Sequence, residues 1–280
     1  VTERLYRPTD LSHFLRRSGF APLRSLSQNF LVDGNVIRKS CDVAEVKEGE
    51  LILEIGPGPG ALTQELLARG CRVLAVELDQ GYASALPRLS SKEGQLTVVQ
   101  GDALKLPLEA LLRQQLCTGE KAKVVANLPY HITSPLLERL VALTPLVTTV
   151  SILLQKEVGE MLLGQVGSRS FGLLSLFAEA HLLPLSSFIV SRNCFLPSPR
   201  VDSIFLHLQL REEGVKKAPA LKMARQAFRH RRKMIGGSLA GHYPKDLLHR
   251  AFESLKLSPT RRPEELDLAT WQALAALLPA

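Results

Sequence analysis

Between residues 51 and 155, apolar runs of strand length recur at regular intervals. "LILEIG" (51–56), "RVLAVEL" (72–78), "LTVVQ" (96–100), "KVVANL" (123–128) and "LVTTVSILLQ" (146–155) are nearly continuous in apolar residues. The intervening "ALTQELLARG", which Gly70 would close, "DQGYASALPRL" and residues 134–143 carry helical periodicity. Strands without polar alternation are buried on both faces, and their alternation with amphipathic helices predicts a mainly parallel, doubly wound α/β sheet. Ahead of this region the pattern predicts a helix over 10–17, an irregular segment "APLRSLSQNFLVDG", and a helix over 34–46 with Asp33 as its N-cap. Two later β-rich runs, "LSSFIVSR" and "VDSIFLHLQL", are expected to finish the sheet as an antiparallel hairpin around a proline-rich connection.

After "LREEGVKKAPA" the β signal fades. "LKMARQAFRHRRKMI", "PKDLLHRAFESL" and "PEELDLATWQALAALL" all read as helices. The expected organisation is a catalytic α/β domain over 1–211 and a small all-helical domain over 212–280.

Composition narrows the function classes. Hydrophobic residues make up 45% of the 280, enough for a sizeable core, and the formal net charge is +8. A basic chain of this size is expected to meet a polyanion, since each phosphate it neutralises releases counterions. No apolar run reaches 18 residues, so no transmembrane helix is expected. "VTERLYRPTDLSHFLRRSGF" lacks the apolar centre of a secretory leader. The four cysteines, Cys41, Cys71, Cys117 and Cys194, form no CxxC pair. That argues against zinc and a disulfide framework, and suits a reducing cytosol. No metal is expected, since neither HExxH nor the deaminase zinc signature occurs. GxSxG is absent too.

The chemistry gathers at strand ends, where ligands of open α/β sheets bind. "LEIGPGPGALT" places Gly56, Gly58 and Gly60 between the first strand and a helix. Glycines there permit a sharp turn and close approach of a ligand, and the helix N-terminus favours an anionic group. The spacing is G-x-G-x-G, neither the dinucleotide fingerprint nor a P-loop, and it suits S-adenosylmethionine. Glu77, 21 residues beyond Gly56, ends the second strand and is placed to accept from ribose hydroxyls. Asp79 reads as the next N-cap. Asp102, after the third strand, is placed to accept from an adenine amine. The bland alternatives are a tight turn, a surface charge and a capping residue; three such features in order outweigh them.

"NLPY" then falls at the end of the fourth strand. Adenine's exocyclic amine is a poor nucleophile because its lone pair is delocalised into the ring. Acceptors for its two hydrogens would stabilise the tetrahedral, positively charged nitrogen of the transition state. The Asn127 side-chain oxygen and the Leu128 carbonyl, aimed by rigid Pro129, are the candidates. Tyr130 offers a face for a base, a contact worth roughly 1–3 kcal/mol. His131 gains no role.

"LSQNFLVD", "EIGPGPGALT", "VEL", "GDAL", "NLPY", "FLPSPRVDS" and "FRHRRKM" occur in the order found in the ribosomal RNA adenine dimethyltransferases, the KsgA family, which the chain resembles over essentially its whole length. The resemblance implies a Rossmann-like S-adenosylmethionine-dependent methyltransferase domain and a small helical C-terminal domain. It implies dimethylation of two adjacent adenines near the 3′ end of small-subunit (16S) rRNA by a monomer. It also adds Gln28, Asn29 and Leu31 to the cofactor pocket, with Leu78 and Ala103 beside the two acids, and makes Phe195 a stacking partner of the target adenine opposite Tyr130. Ser27 departs from the glycine usual before Gln28. A related alternative is the Erm-type methylase of large-subunit rRNA; an alternative of another class is an RNA-binding assembly factor without turnover.

Within "ARQAFRHRRKM", Arg225, Arg229 and Arg232 are expected on one helical face, with Lys233 adjoining, as a phosphate-gripping stripe rather than a merely solvated face. Arg7, Arg16, Arg17 and Arg24 are expected to add a second basic patch.

Overall fold

In a computed structural model of the chain, the described residues are 3–21, 28–90, 92–128, 132–230 and 233–278. They fall into two compact units, residues 1–156 with 184–210, and residues 157–183 with 211–280.

The first unit opens with helix α1 (Pro8–Ser18), whose apolar face buries Leu11, Phe14 and Leu15. A two-residue strand β1 (Phe30–Leu31) leads into helix α2 (Gly34–Val43). Asp33 caps α2 as expected, accepting from the Asn35 and Val36 amides at 2.8 and 3.2 Å. There follow β2 (Leu51–Ile55), α3 (Ala61–Ala68), β3 (Arg72–Glu77), α4 (Gln80–Ala85), a 3-10 turn over Leu86–Leu89, and β4 (Leu96–Gln100). Next come α5 (Leu108–Gln115), β5 (Ala122–Asn127), α6 (Thr133–Ala142) and β6 (Val147–Gln155). Gly70, with φ of 79°, supplies the left-handed residue that ends the α3 region. Asp79 caps α4 through the Gly81 and Tyr82 amides.

Helices α7 (Lys156–Leu162) and α8 (Leu173–His181) precede the edge strand β7 (Leu182–Val190). A short β8 (Phe195–Leu196) and β9 (Ser203–Leu210) complete the strands. The seven-stranded sheet has the order β4-β3-β2-β5-β6-β9-β7. Pairs β2–β3, β3–β4, β2–β5 and β5–β6 are parallel, and β6–β9 is antiparallel. As expected, the two late strands are neighbours joined through the proline-containing segment 191–202, and β9 lies between β6 and the edge strand β7. Its register sets Ser151 opposite His207, and the buried hydroxyl and imidazole Nδ1 lie 2.7 Å apart. Burial holds the His207 pKa below its ordinary value, so the pair is a neutral bond within the sheet.

Chain order runs outward from β2 to β4, then returns to β5 on the other side of β2. That reversal opens a crevice above the carboxyl ends of β2 and β5. Both strands are buried along nearly their whole length, so the crevice has a rigid floor.

The second unit holds α9 (Ala218–Phe228), α10 (Ile235–Leu239), α11 (Lys245–Ser254) and α12 (Leu268–Leu277). Fully buried Trp271 and Leu274 of α12 share a core with Ala224 and Ala227 of α9 and Phe252 of α11. The small α9 residues let the indole approach closely. The expected boundaries, 1–211 and 212–280, need one correction. Residues 157–183 belong with the tail because Phe171, Leu176 and Ala180 lie in that same core. Periodicity over a short segment does not say which core its apolar face enters. Among the described residues no helix is long and apolar enough to cross a membrane.

Candidate functional site

A cavity of about 200 Å³ opens at the carboxyl ends of β2, β3 and β5 and beyond β4. Gln28, Asn29, Leu31, Gly56, Gly58, Glu77, Leu78, Asp102, Ala103, Asn127 and Leu128 all line it, and it lies wholly within the first unit.

The turn after β2 is built from backbone conformations that side chains disfavour. Gly56, Gly58 and Gly60 have φ of 68°, 56° and 100°. A Cβ on Gly58 would stand 2.9 Å from the Phe30 ring, so both strain and space require glycine there. Gly60 is different. It caps α3 and does not line the cavity; a Cβ there would stand 2.3 Å from Leu89 Cδ1 and 2.9 Å from Leu86 Cδ2. Its expected place among the ligand-contacting residues is therefore corrected to close packing behind the turn.

Glu77 is only 5% exposed. Its Oε2 accepts from the Gly58 amide and its Oε1 from the Asp79 amide, both at 2.8 Å. A carboxylate has about four lone-pair sites, so capacity remains for ligand hydroxyls. Burial raises its pKa, against which the backbone amides act. Asp102 accepts from the Leu104 amide at 2.9 Å through Oδ1, and Lys105 Nζ lies 3.6 Å from Oδ2. Leu78, an exposed apolar side chain at 47%, presents a surface to the same space.

Asn127 ends β5, and its Nδ2 donates to the Asn29 carbonyl at 3.3 Å. The amide is thus oriented with its oxygen left as an acceptor. Leu128 is held by its own amide on the Leu153 carbonyl at 3.0 Å. Pro129, Tyr130 and His131 lie outside the described residues, as do Ser27 and Arg24.

Phe195 does not present a stacking face. The β1–β8 pairing sets it opposite Leu31, and the ring is 3% exposed in a core with Val125, Leu153 and Phe205. Its expected role as a base platform is corrected accordingly: in this conformation it supports the floor of the site.

One residue was missed. Glu54, the penultimate residue of β2, is 1% exposed and lines the cavity. Burial, with a smaller contribution from nearby Glu77, pushes its pKa up to about 8, while the Thr63 hydroxyl donates to its Oε2 at 2.7 Å. The signal was present in "LILEIG": a charged residue inside a fully buried strand requires a partner or a proton. Glu54, Glu77 and Asp102 concentrate acidity in one cavity of a chain whose net charge is +8.

The basic helix ends earlier than expected. Helix α9 ends at Phe228, with Arg229 as its C-cap. Arg225 and Arg229 are exposed one turn apart, but Lys233 follows a turn in which its amide donates to the His230 carbonyl. Arg232 lies outside the described residues. Consecutive basic residues repel one another and favour the negative end of the helix dipole, which suits a helix terminus better than an interior. At the other end of the chain, Arg17 pairs with Glu3 at 3.1 Å and Arg7 caps α1 without a side-chain bond.

Residues 21–275 match the family model described as ribosomal RNA adenine dimethylase. The ribosomal RNA small subunit methyltransferase A of Protochlamydia amoebophila is 39% identical over 266 residues, covering 94% of each chain. Its counterpart from Moorella thermoacetica is 36% identical over 273 residues, 94% of this chain and 95% of that one. Among solved structures, the 23S rRNA methyltransferase ErmE superposes with a TM-score of 0.65 at 26% identity, over 90% of this chain and 100% of that one. A dimethyladenosine transferase from Plasmodium falciparum shares the fold, with a TM-score of 0.69 at 24% identity over 86% and 94% of the two chains.

Proposed function

The chain belongs to the ribosomal RNA adenine dimethylase family, and from that premise we propose that its acidic cavity holds S-adenosylmethionine for methylation of 16S rRNA. The products are N6,N6-dimethyladenines at two adjacent positions near the 3′ end, formed during small-subunit maturation. Small-subunit relatives align at 36–39% identity over nearly the full chain, against 26% for the large-subunit enzyme ErmE, which favours the small subunit as substrate.

The residues present suit the cofactor. Glu77 and Asp102, with the proton-retaining carboxyl of Glu54 beside them, line a space that would receive a molecule carrying a sulfonium and an ammonium group. Glu77 would take the ribose hydroxyls with the lone pairs its two backbone amides leave free. Asp102 would take the adenine amine, with Leu78 and Ala103 against the ring. Gln28, Asn29 and Leu31 would close the other wall, and the Gly56–Gly58 turn would meet the amino-acid end. The cofactor supplies an electrophilic methyl group.

The chain's task at the target is to orient the adenine amine and make it more nucleophilic. The observation that carries this assignment is the Asn127 amide, held by Asn29 at the end of β5. Its oxygen would accept one amine hydrogen and the Leu128 carbonyl the other, stabilising the nitrogen as it becomes tetrahedral. Pro129 would aim that carbonyl, and Tyr130 would stack on the base. No strong general base is needed, because the methylated ammonium is acidic enough to lose its proton to water. Alignment and polarisation are the protein's contribution. Arg225, Arg229, Arg232 and Lys233 would grip rRNA phosphates.

The test is transfer of labelled methyl groups to unmethylated small subunits, large subunits, naked rRNA and DNA. Small subunits should take the label. Label on large subunits alone would overturn the substrate assignment, and no label anywhere would favour an assembly factor.

A further inference from the structure

The Gly56–Gly60 turn is held from two sides. On one side, Glu77 accepts from the Gly58 amide. On the other stands the 3-10 turn Leu86–Leu89, whose two leucines fill the space beside Gly60. From this turn Arg88 reaches back with its guanidinium. Nη2 donates to the Pro59 carbonyl at 3.0 Å, and Nη1 donates to the Ala85 carbonyl. The guanidinium carbon also lies 4.1 Å from the centroid of the Phe14 ring on α1. One side chain therefore joins the glycine turn to the N-terminal helix.

The N-terminal segment is itself part of the cavity. Leu5 and Leu11 line it, and Gln64 of α3 ties the segment down by donating to the Glu3 carbonyl at 2.9 Å and accepting from the Leu5 amide at 3.4 Å. The seat of α1 thus sets one wall, and the glycine turn sets another. A guanidinium can donate along its edge while stacking through its face; an ammonium cannot do both in one geometry. Arg88 does not line the cavity, so contact with the ligand does not account for its position.

We propose that Arg88 is a positioning residue that couples the seating of α1 to the conformation of the glycine turn, so that the N-terminal helix closes the cavity over a turn already set to receive S-adenosylmethionine. The proposal rests on the reading of that turn as part of the cofactor site. Removing the Arg88 guanidinium should loosen both walls together and weaken cofactor binding, while leaving the amine-polarising residues at the end of β5 in place.

The test uses the full chain. S-adenosylhomocysteine affinity is measured by calorimetry, and hydrogen exchange is followed in residues 56–62 and 8–18, for wild type, R88M, R88K, F14L and the R88M/F14L double variant. R88M should weaken binding about tenfold, the scale of one charge-assisted hydrogen bond, and raise exchange in both segments. R88K should not rescue it, and F14L should add nothing further on the R88M background. In turnover with rRNA, KM for the cofactor should rise with kcat unchanged at saturation. Unchanged affinity in R88M, exchange rising in only one segment, or additive effects in the double variant would each overturn the coupling. E77Q serves as the control for the site itself. If E77Q binds as wild type does, the pocket assignment fails and the coupling fails with it. If E77Q weakens binding and R88M does not, only the coupling fails.

Discussion

The Asn127 side chain donates through Nδ2 to the carbonyl oxygen of Asn29, 3.3 Å away and 98 residues earlier in the chain. Asn29 immediately precedes β1, and Asn127 ends β5, so a segment outside the main sheet sets the orientation of an amide at the carboxyl end of the sheet's central strand. An unanchored asparagine would present NH2 and oxygen to the target amine with similar ease. Anchored, it presents the acceptor.

N127A should therefore reduce methyl transfer by about a hundredfold or more, the range seen when a polarising group is removed from a transition state. S-adenosylhomocysteine affinity should change little. Single-turnover transfer on small subunits and calorimetry together check the split, and near-wild-type turnover would remove Asn127 from the chemistry.

Glu77 supports the glycine turn as well as the ligand. E77A removes the acceptor for both the Gly58 and Asp79 amides. Affinity for S-adenosylhomocysteine should fall by about one to two orders of magnitude, on the scale of charged hydrogen bonds. Titration calorimetry reads this directly, and an affinity equal to wild type would assign the nucleoside end elsewhere.

Glu54 makes stability depend on pH. Its folded pKa is raised by burial from 4.5 to about 8. Between these values the folded chain keeps a proton that the unfolded chain has released. Stability should therefore fall as pH rises from about 4.5 to about 8, with a slope approaching about 1.4 kcal/mol per pH unit from this group, and level off above. E54Q should flatten that part of the profile in urea titrations. A slope identical in wild type and E54Q would show that Glu54 ionises normally.

The exposed pair Arg225 and Arg229 should contribute salt-dependent affinity. The R225A/R229A variant should bind 16S rRNA more weakly, and its log K against log salt slope should shrink by about 0.7–0.9 for each phosphate no longer neutralised. Filter binding over a salt series measures this; an unchanged slope would make the pair a solvated surface.

The sheet and two of the pocket acids, Glu77 and Asp102, were legible in the chain because both depend on local pattern. Apolar runs of strand length marked β2 to β6, and glycines, Glu77, Asp102 and Asn127 fell at their carboxyl ends, where the fold places ligands. What eluded the sequence depended on distant partners. Phe195 turns inward because β8 pairs with β1, and residues 157–183 join the helical unit because their apolar side chains enter the Trp271 core. Glu54 was overlooked as one more residue of a buried strand, although its charge there was the signal.

The sequence by itself determined the alternation of strands and helices, the residues at each strand end and the family to which they belong. Those features are written in spacing, and spacing survives in one dimension. Only the tertiary structure decided which glycine faces the cavity and which faces Leu86 and Leu89, where the basic helix stops, and that Asn29 orients Asn127. Each of these is set by how the elements pack together, which brings side chains distant in the chain into one place.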